Sequence, residues 1–382
     1  LLSLGERRAI ASKGGFYFDG RLAWKWKDWI DRRFMKTFYS LPEMQVEEPN
    51  SLVGEFESKM FCGGCGSKVS ADTLSEVLSK VMGDKAPKGD AAVIEIPKGK
   101  VLLQSVDHFR SFLNDPYTQA RIALCHAMSD VYACGGNPVS VLASITLPFS
   151  KPEISQDYLS QLVHGILYQL EKDNAELIGG HTAEGEELSI GFTVNGLGEP
   201  NRLREKKIIE PGLSIVLTKQ LGVGAIFAAD MQHKSKAEWV HEAIESMLVS
   251  NRLGSELATD FGVRSCTDIT GFGLAGHLLE MIGPGVGVEV DLDKIPCLPG
   301  SLEVINGLKI RSSLHDANKK ASKLGVLHEK SEILFDPQTS GGLVLAVKKS
   351  RATEMISSLV HKGYNHAAII GESIPESCLR VK

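Results

Sequence analysis

From Phe61 to the C-terminus, segments with the period of a strand alternate with segments with the period of a helix, and this alternation commits the chain to an α/β architecture. After "FCGGCGSKVS", Leu74, Val77, Leu78 and Val81 fall on one helical face with Ser70 as the expected N-cap. "AAVIEI" and "KVLLQSVDHF" flank "PKGK" as the arms of a hairpin. Pro116 opens and Gly135–Gly136 closes the helix of "DPYTQARIALCHAMSDVYACGG". A strand "VSVLASITLPF", a helix "SQDYLSQLVHGILYQLEKDNA" and a strand "ELI" running into the Gly-rich loop "GGHTAEGEE" follow, and "LSIGFTVNGLG" alternates as a further strand. The second half restarts with the strand "SIVLTK", one long helical stretch from Lys236 to Phe261, the strand "VGVEVDL" and the run "LFDPQTSGGLVLAV". A length of 382 residues supports two cores, and the expected domains are 51–205 and 206–382.

Residues 1–50 differ in composition. "GRLAWKWKDWIDRRFMKTF" holds three of the four tryptophans, and six basic residues face two acidic ones between Arg21 and Lys36. That pattern fits an interfacial amphipathic helix over residues 21–38, or a helix packed on a partner domain. Ser40–Ser51 reads as an acidic, Pro-containing linker. The chain opens on Leu1 rather than Met, as expected of a fragment of a longer polypeptide.

A net charge of −5 gives no general attraction to nucleic acid or anionic lipid, so small ligands are the expected partners and no nucleic acid is. Seven cysteines without regular dense spacing read as free thiols in a reducing cytoplasm. No signal peptide and no apolar run of about 18 residues is found.

Several motifs carry candidate chemistry. Cys62 and Cys65 supply only two thiolates where a structural zinc needs four ligands, so zinc is disfavoured. A redox dithiol at a helix N-terminus is one alternative; another is a mobile segment in which Gly63, Gly64 and Gly66 let Cys65 and Lys68 swing onto a bound anion, Lys68 acting as a point charge for phosphate. Asp90, Asp107, Asp130 and Asp268 each lie beside apolar residues; singly each reads as a cap or turn former, together they read as ligands for a hard cation. Gly179, Gly180, His181 and Thr182 follow a strand, where backbone amides can cradle phosphate oxygens, or form an ordinary turn. His126 and Asp130 share a helix face, but a lone histidine there reads as a core residue. "GFGLAG" matches G-x-G-x-x-G without the apolar strand a dinucleotide fold requires before it, and no Walker A pattern occurs.

Taken together, "CGGCGSKVS", "GDAAV", "SVDHF", "NDPYTQARIALCHAMSDVYACGGNPVSVLA", "IGGHT", "TDITGFGLAGHL", "IPCLPG" and "DPQTSGGL" resemble, in order from about Phe61 onward, the selenophosphate synthetase (selenide, water dikinase) family of aminoimidazole-ribonucleotide-synthetase-like ATP enzymes. The resemblance implies a two-domain fold of mixed sheets flanked by helices, a homodimer, and synthesis of selenophosphate, AMP and phosphate from ATP, selenide and water with Mg2+. By motif, Cys65 and Lys68 match the family's essential cysteine and lysine. Asp90, Asp130 and Asp268 match its magnesium carboxylates, and Asp107 and Asp130 belong with the ATP contacts. Gly180, His181 and Thr182 match the nucleotide loop that the family's dimer donates across its interface. Residues 1–40 resemble the C-terminal tail of a type II NADH-dehydrogenase-like flavoprotein, which implies a fused or associated flavoprotein domain.

Two positions depart from the family pattern. Ser67 stands between Gly66 and Lys68 where the motif reads Cys-Gly-Cys-Lys, leaving Cys62 as a displaced thiol, and the Gly-Gly-Thr-x-x-Asn stretch becomes "RSSLHDANKK". Competing readings are another ATP enzyme of the same fold, such as a thiamine-monophosphate kinase, and a non-catalytic redox or metal module built on Cys62 and Cys65.

Overall fold

The computed structural model describes residues 2–5, 7–13, 16–39, 71–83, 96–208, 210–324 and 328–382. The chain divides into two compact units, Leu1–Phe61 and Cys62–Lys382. In the first, β1 (Leu2–Gly5), β2 (Arg8–Lys13) and β3 (Phe16–Gly20) form an antiparallel meander that runs directly into helix α1 (Arg21–Tyr39). Ala23 of α1 is fully buried against Ala9 of β2, with Trp24 beside them. The helix matches the sequence expectation; the meander before it was not anticipated.

The second unit begins, among described residues, with α2 (Ala71–Met82), whose Val77 is buried. The segments β4 (Val101–Arg110), α3 (Pro116–Ala133), β5 (Asn137–Pro148), α4 (Pro152–Asp173), β6 (Glu176–Gly185) and β7 (Ser189–Gly198) follow. Their four strands make one sheet in the order β4-β7-β5-β6, antiparallel except for the parallel pair β5–β6. Before β4, the Lys100 N–H closes the "PKGK" turn on the Pro97 carbonyl. Asp115 caps α3 by accepting from the Tyr117 and Thr118 amides, Pro116 fills its first turn, and Gly135 leaves it at φ +81°.

The remainder comprises β8 (Leu213–Leu217), α5 (Val223–Asp230), α6 (Ala237–Leu248), α7 (Arg252–Asp260), β9 (Ser265–Asp268), α8 (Gly273–Met281), β10 (Gly287–Val290), α9 (His315–Ser322), β11 (Leu343–Lys348), α10 (Ala352–His361), β12 (Ala368–Ile374) and β13 (Leu379–Val381). Its six strands form a mixed sheet in the order β13-β10-β12-β8-β11-β9. In β8, Ile215 and Leu217 enter one core and Val216 the other; in β11, Val344 and Ala346 oppose Leu343, Leu345 and Val347. Burial on both faces explains why these strands read as unbroken apolar runs.

Two readings need correction. The expected single helix from Lys236 to Phe261 is two helices, because Val249 turns extended and Ser250 accepts the Arg252 N–H on its hydroxyl, a side-chain bond that competes with helix continuation. The expected Gly-rich loop is strand: Gly180, His181 and Thr182 lie inside β6, paired with Ala143, Ser144 and Ile145 of β5.

Helix α3 joins the two sheets' territories. It is buried almost all round, packing on β4 and β7 on one side and on α6, α7 and β9 on the other, which is why its apolar residues do not gather into one stripe.

Candidate active site

Ser105 and Asp107 sit two apart on β4 and therefore share the strand face that looks towards α3. Asp130 occupies the last turn of α3, and the Ser105 hydroxyl donates to its Oδ2. Asp268 ends β9, opposite Leu343 of β11, and is buried. Because α3 packs on β9, Asp130 and Asp268 meet: both line a cavity of about 230 Å³ together with Ser105, Cys134, Arg204 and Lys206.

The carboxylates repel one another. Burial first and Asp130 second push the Asp107 carboxyl up to about 6. Burial, then Asp130 and more weakly Asp107, push Asp268 up to about 7 against an opposing hydrogen bond from Ser129. Such a cluster is poorly stable when ionised and gains from a cation. Among the described residues no three His, Cys, Asp or Glu side chains gather tightly enough to hold a metal ion alone. Mg2+ characteristically takes one or two carboxylates and completes its shell with water and substrate phosphate, so Asp130 and Asp268 suit it.

Arg204 was not singled out in the sequence. Its buried guanidinium donates to the Tyr132 carbonyl at the end of α3 and to Ser255 and Thr259 of α7, fastening the cavity wall across the two sheets' territories. Cys134 and Cys266 also line the cavity; burial raises both thiols, Cys266 to about 12, so they remain protonated near neutral pH. No sequence spacing links these residues.

Other candidates lie elsewhere. Cys62, Cys65, Lys68 and Asp90 fall outside the described residues. His126 is a core residue, as expected: its Nδ1 accepts the Ser340 N–H at 2.9 Å and its ring meets Phe109 edge-on. Gly180, His181 and Thr182 are three strand spacings from β4, roughly 14 Å across the sheet, and do not line the cavity.

This fold belongs to a recognisable class. The signature described as AIR synthase related protein, N-terminal domain, matches residues 88–198, and its C-terminal counterpart matches residues 210–382; the chain belongs to that family. Solved structures share the fold: the thiamine-monophosphate kinase of Stenotrophomonas maltophilia aligns at TM-score 0.61 with 15% identity, covering 82% of this chain and 97% of its own. A hydrogenase maturation protein HypE in complex with ATP aligns at 0.64 with 18% identity, covering 82% and 88%. Within the class, sequence separates the branches. The selenide, water dikinase of Pelobacter propionicus is 32% identical over 337 residues, 83% of this chain and 95% of the relative. That of Desulfitobacterium hafniense is 34% identical over 335 residues, 84% and 96%. The chain belongs to the selenide, water dikinase family.

Proposed function

We propose that the cavity between Asp130 and Asp268 is the magnesium–ATP end of the family's reaction, the ATP-dependent synthesis of selenophosphate from selenide and water with release of AMP and phosphate. The observation that carries this reading is that Asp130 and Asp268 line one cavity, with Asp107 near enough to repel them, in a chain whose relatives are selenide, water dikinases. Asp130 and Asp268, with Asp90, hold Mg2+, which neutralises polyphosphate charge when bound. Asp107 contacts the nucleotide, Lys68 adds a positive charge, and Cys65 accompanies the soft selenide anion. The protein's own share is to position these groups, because phosphoryl transfer needs orientation and charge neutralisation more than covalent help.

The working unit of this proposal is a homodimer with a domain boundary near residues 205/206. Two observations support it. The strand β6, carrying Gly180, His181 and Thr182, is at the sheet edge and away from its own chain's cavity, as expected if it serves the partner's nucleotide. Val106 on β4 is 71% exposed. The chain works in the cytoplasm, consistent with the free thiols of the described cysteines, and α1 rests on anionic membrane surfaces. Leu22, Trp26, Trp29 and Ile30 recur at helical spacing and are all exposed, and among the described residues no helix is long and apolar enough to cross a membrane. A flavoprotein domain fused to, or associated with, residues 1–40 completes the proposal.

The deciding experiment incubates the protein with ATP, Mg2+ and selenide and follows the products by phosphorus NMR. AMP and selenophosphate are expected, and Cys65→Ala is expected to lose selenophosphate. Absence of both products from the wild type would defeat the reading.

A further inference from the structure

Between Asp268 and α8 the chain makes a turn, residues 269–272, that is pinned from several directions. The Ile269 N–H donates to the Gly342 carbonyl at 2.9 Å, and the Gln338 N–H donates to the Thr270 carbonyl at 3.0 Å. The Thr270 N–H donates to His277 Nε2 at 3.0 Å. A backbone N–H can only donate, so Nε2 is unprotonated and the ring proton sits on Nδ1, which faces Glu280 Oε2 at 3.2 Å. The Asn318 carboxamide donates to the Gly271 carbonyl at 2.8 Å and to the Phe335 carbonyl at 3.0 Å. Both of its N–H groups are thereby committed to backbone, one to this turn and one to the segment leading into Asp336.

Asn318 lies in "RSSLHDANKK", the stretch that departs from the family pattern and has no role in the site as described so far. The rest of that stretch is anchored independently: Arg311, His315 and Lys319 converge on the buried Glu332, with Lys319 Nζ at 2.7 Å. The turn needs an anchor for a physical reason. Asp268 ends β9 directly before this turn, and the turn contains Gly271 and meets Gly273 at φ +68°, residues that resist deformation least. An unpinned turn leaves Asp268 unfixed, and its ordering then costs part of the binding free energy each time a cation arrives.

We propose that Asn318 is a positioning residue for the metal–nucleotide site: by holding the Gly271 carbonyl it fixes the turn that presents Asp268. This rests on the reading of Asp268 as a magnesium carboxylate. The test compares the full chain as wild type, Asn318→Leu and Lys319→Met for AMP formation and for the Mg2+-induced rise in melting temperature across a Mg2+ titration. Asn318→Leu keeps the volume and removes both donors. It is expected to need about tenfold more Mg2+ for half-maximal rate, with the rate at saturating Mg2+ within about threefold of wild type. Lys319→Met breaks the neighbouring ion pair and is expected to lower the melting temperature without moving the Mg2+ requirement. Wild-type Mg2+ dependence in folded Asn318→Leu, or an equal shift in Lys319→Met, would overturn the proposal. Should Asn318→Leu fail to fold, Asn318→Ala, which removes both donors without adding bulk, replaces it: an increase of about threefold or more in the Mg2+ requirement supports the clamp, and none refutes it. A wild type without ATP turnover would sink the proposed function, whereas an active wild type with an unshifted variant sinks only the clamp.

Discussion

Asp268 is raised from the ordinary 3.8 to about 7 by burial and by Asp130, and Asp107 is raised to about 6. Both groups hold protons in the folded state at pH values where the unfolded chain has released them. The folded protein therefore binds more protons between about pH 4 and 7, and stability falls as pH rises through that window. The metal-free protein is expected to melt lower at about pH 7.5 than at about pH 5, and calorimetry checks this. Asp268→Asn removes the ionised form and flattens the dependence. It is expected to melt higher than wild type at about pH 7.5 while losing at least about a hundredfold in ATP turnover. A variant that melts lower and still turns over ATP would contradict both halves of the argument. Because protons compete with the cation for this carboxylate, Mg2+ affinity is also expected to fall by up to about tenfold per pH unit below about 7.

At the scale of elements, β6 separates two reasons for a residue to be what it is. A Cβ at Gly180 would lie 2.1 Å from the Ala143 carbonyl oxygen, so Gly180→Ala is expected to cost about 2–3 kcal/mol by forcing β6 away from β5. His181 is exposed on the same strand. His181→Ala is expected to leave the urea midpoint essentially unchanged and to weaken ATP binding in equilibrium titration; an unaltered affinity would remove it from the nucleotide contacts. This strand also shows where the sequence was illegible. Its glycines read as a loop because composition cannot show that a close approach to β5, rather than a turn, demands them. Helix α3 was legible at both ends, since Pro116 and Gly135 act locally; its cap Asp115 emerged only in the structure. The break at Val249–Asn251 was not, because it depends on distant partners: Lys219 Nζ donates to the Val249 carbonyl, and the Asn251 carboxamide to Ser129 and Gly341. The carboxylates of the site stood out as aspartates in apolar settings, whereas Arg204, Cys134 and Cys266 join them only through packing across the two sheets.

At the scale of the whole molecule, family membership and tail are separable in sequence: the family signatures begin at residue 88, and the compact unit that carries the cavity runs from Cys62 to Lys382. The charges of α1 bear on the proposed membrane contact. Asp28 and Asp31 are taken up by ion pairs with Arg32 and Lys27 one helical turn away, while Arg33 lies over the exposed Trp29 ring. Tryptophan with flanking cations is the composition that binds an anionic lipid interface, through apolar burial and electrostatic attraction together. Deleting residues 1–50 is therefore expected to leave selenophosphate synthesis within about twofold of the full chain and to abolish co-sedimentation with vesicles containing phosphatidylserine. Trp26→Ala with Trp29→Ala should weaken that binding in the intact chain, and added salt should weaken it further, since part of the attraction is screened. Equal co-sedimentation of the full and shortened chains would assign the exposed stripe to a protein partner instead, and a loss of synthesis on deletion would mean that the tail supports the site and not only its location.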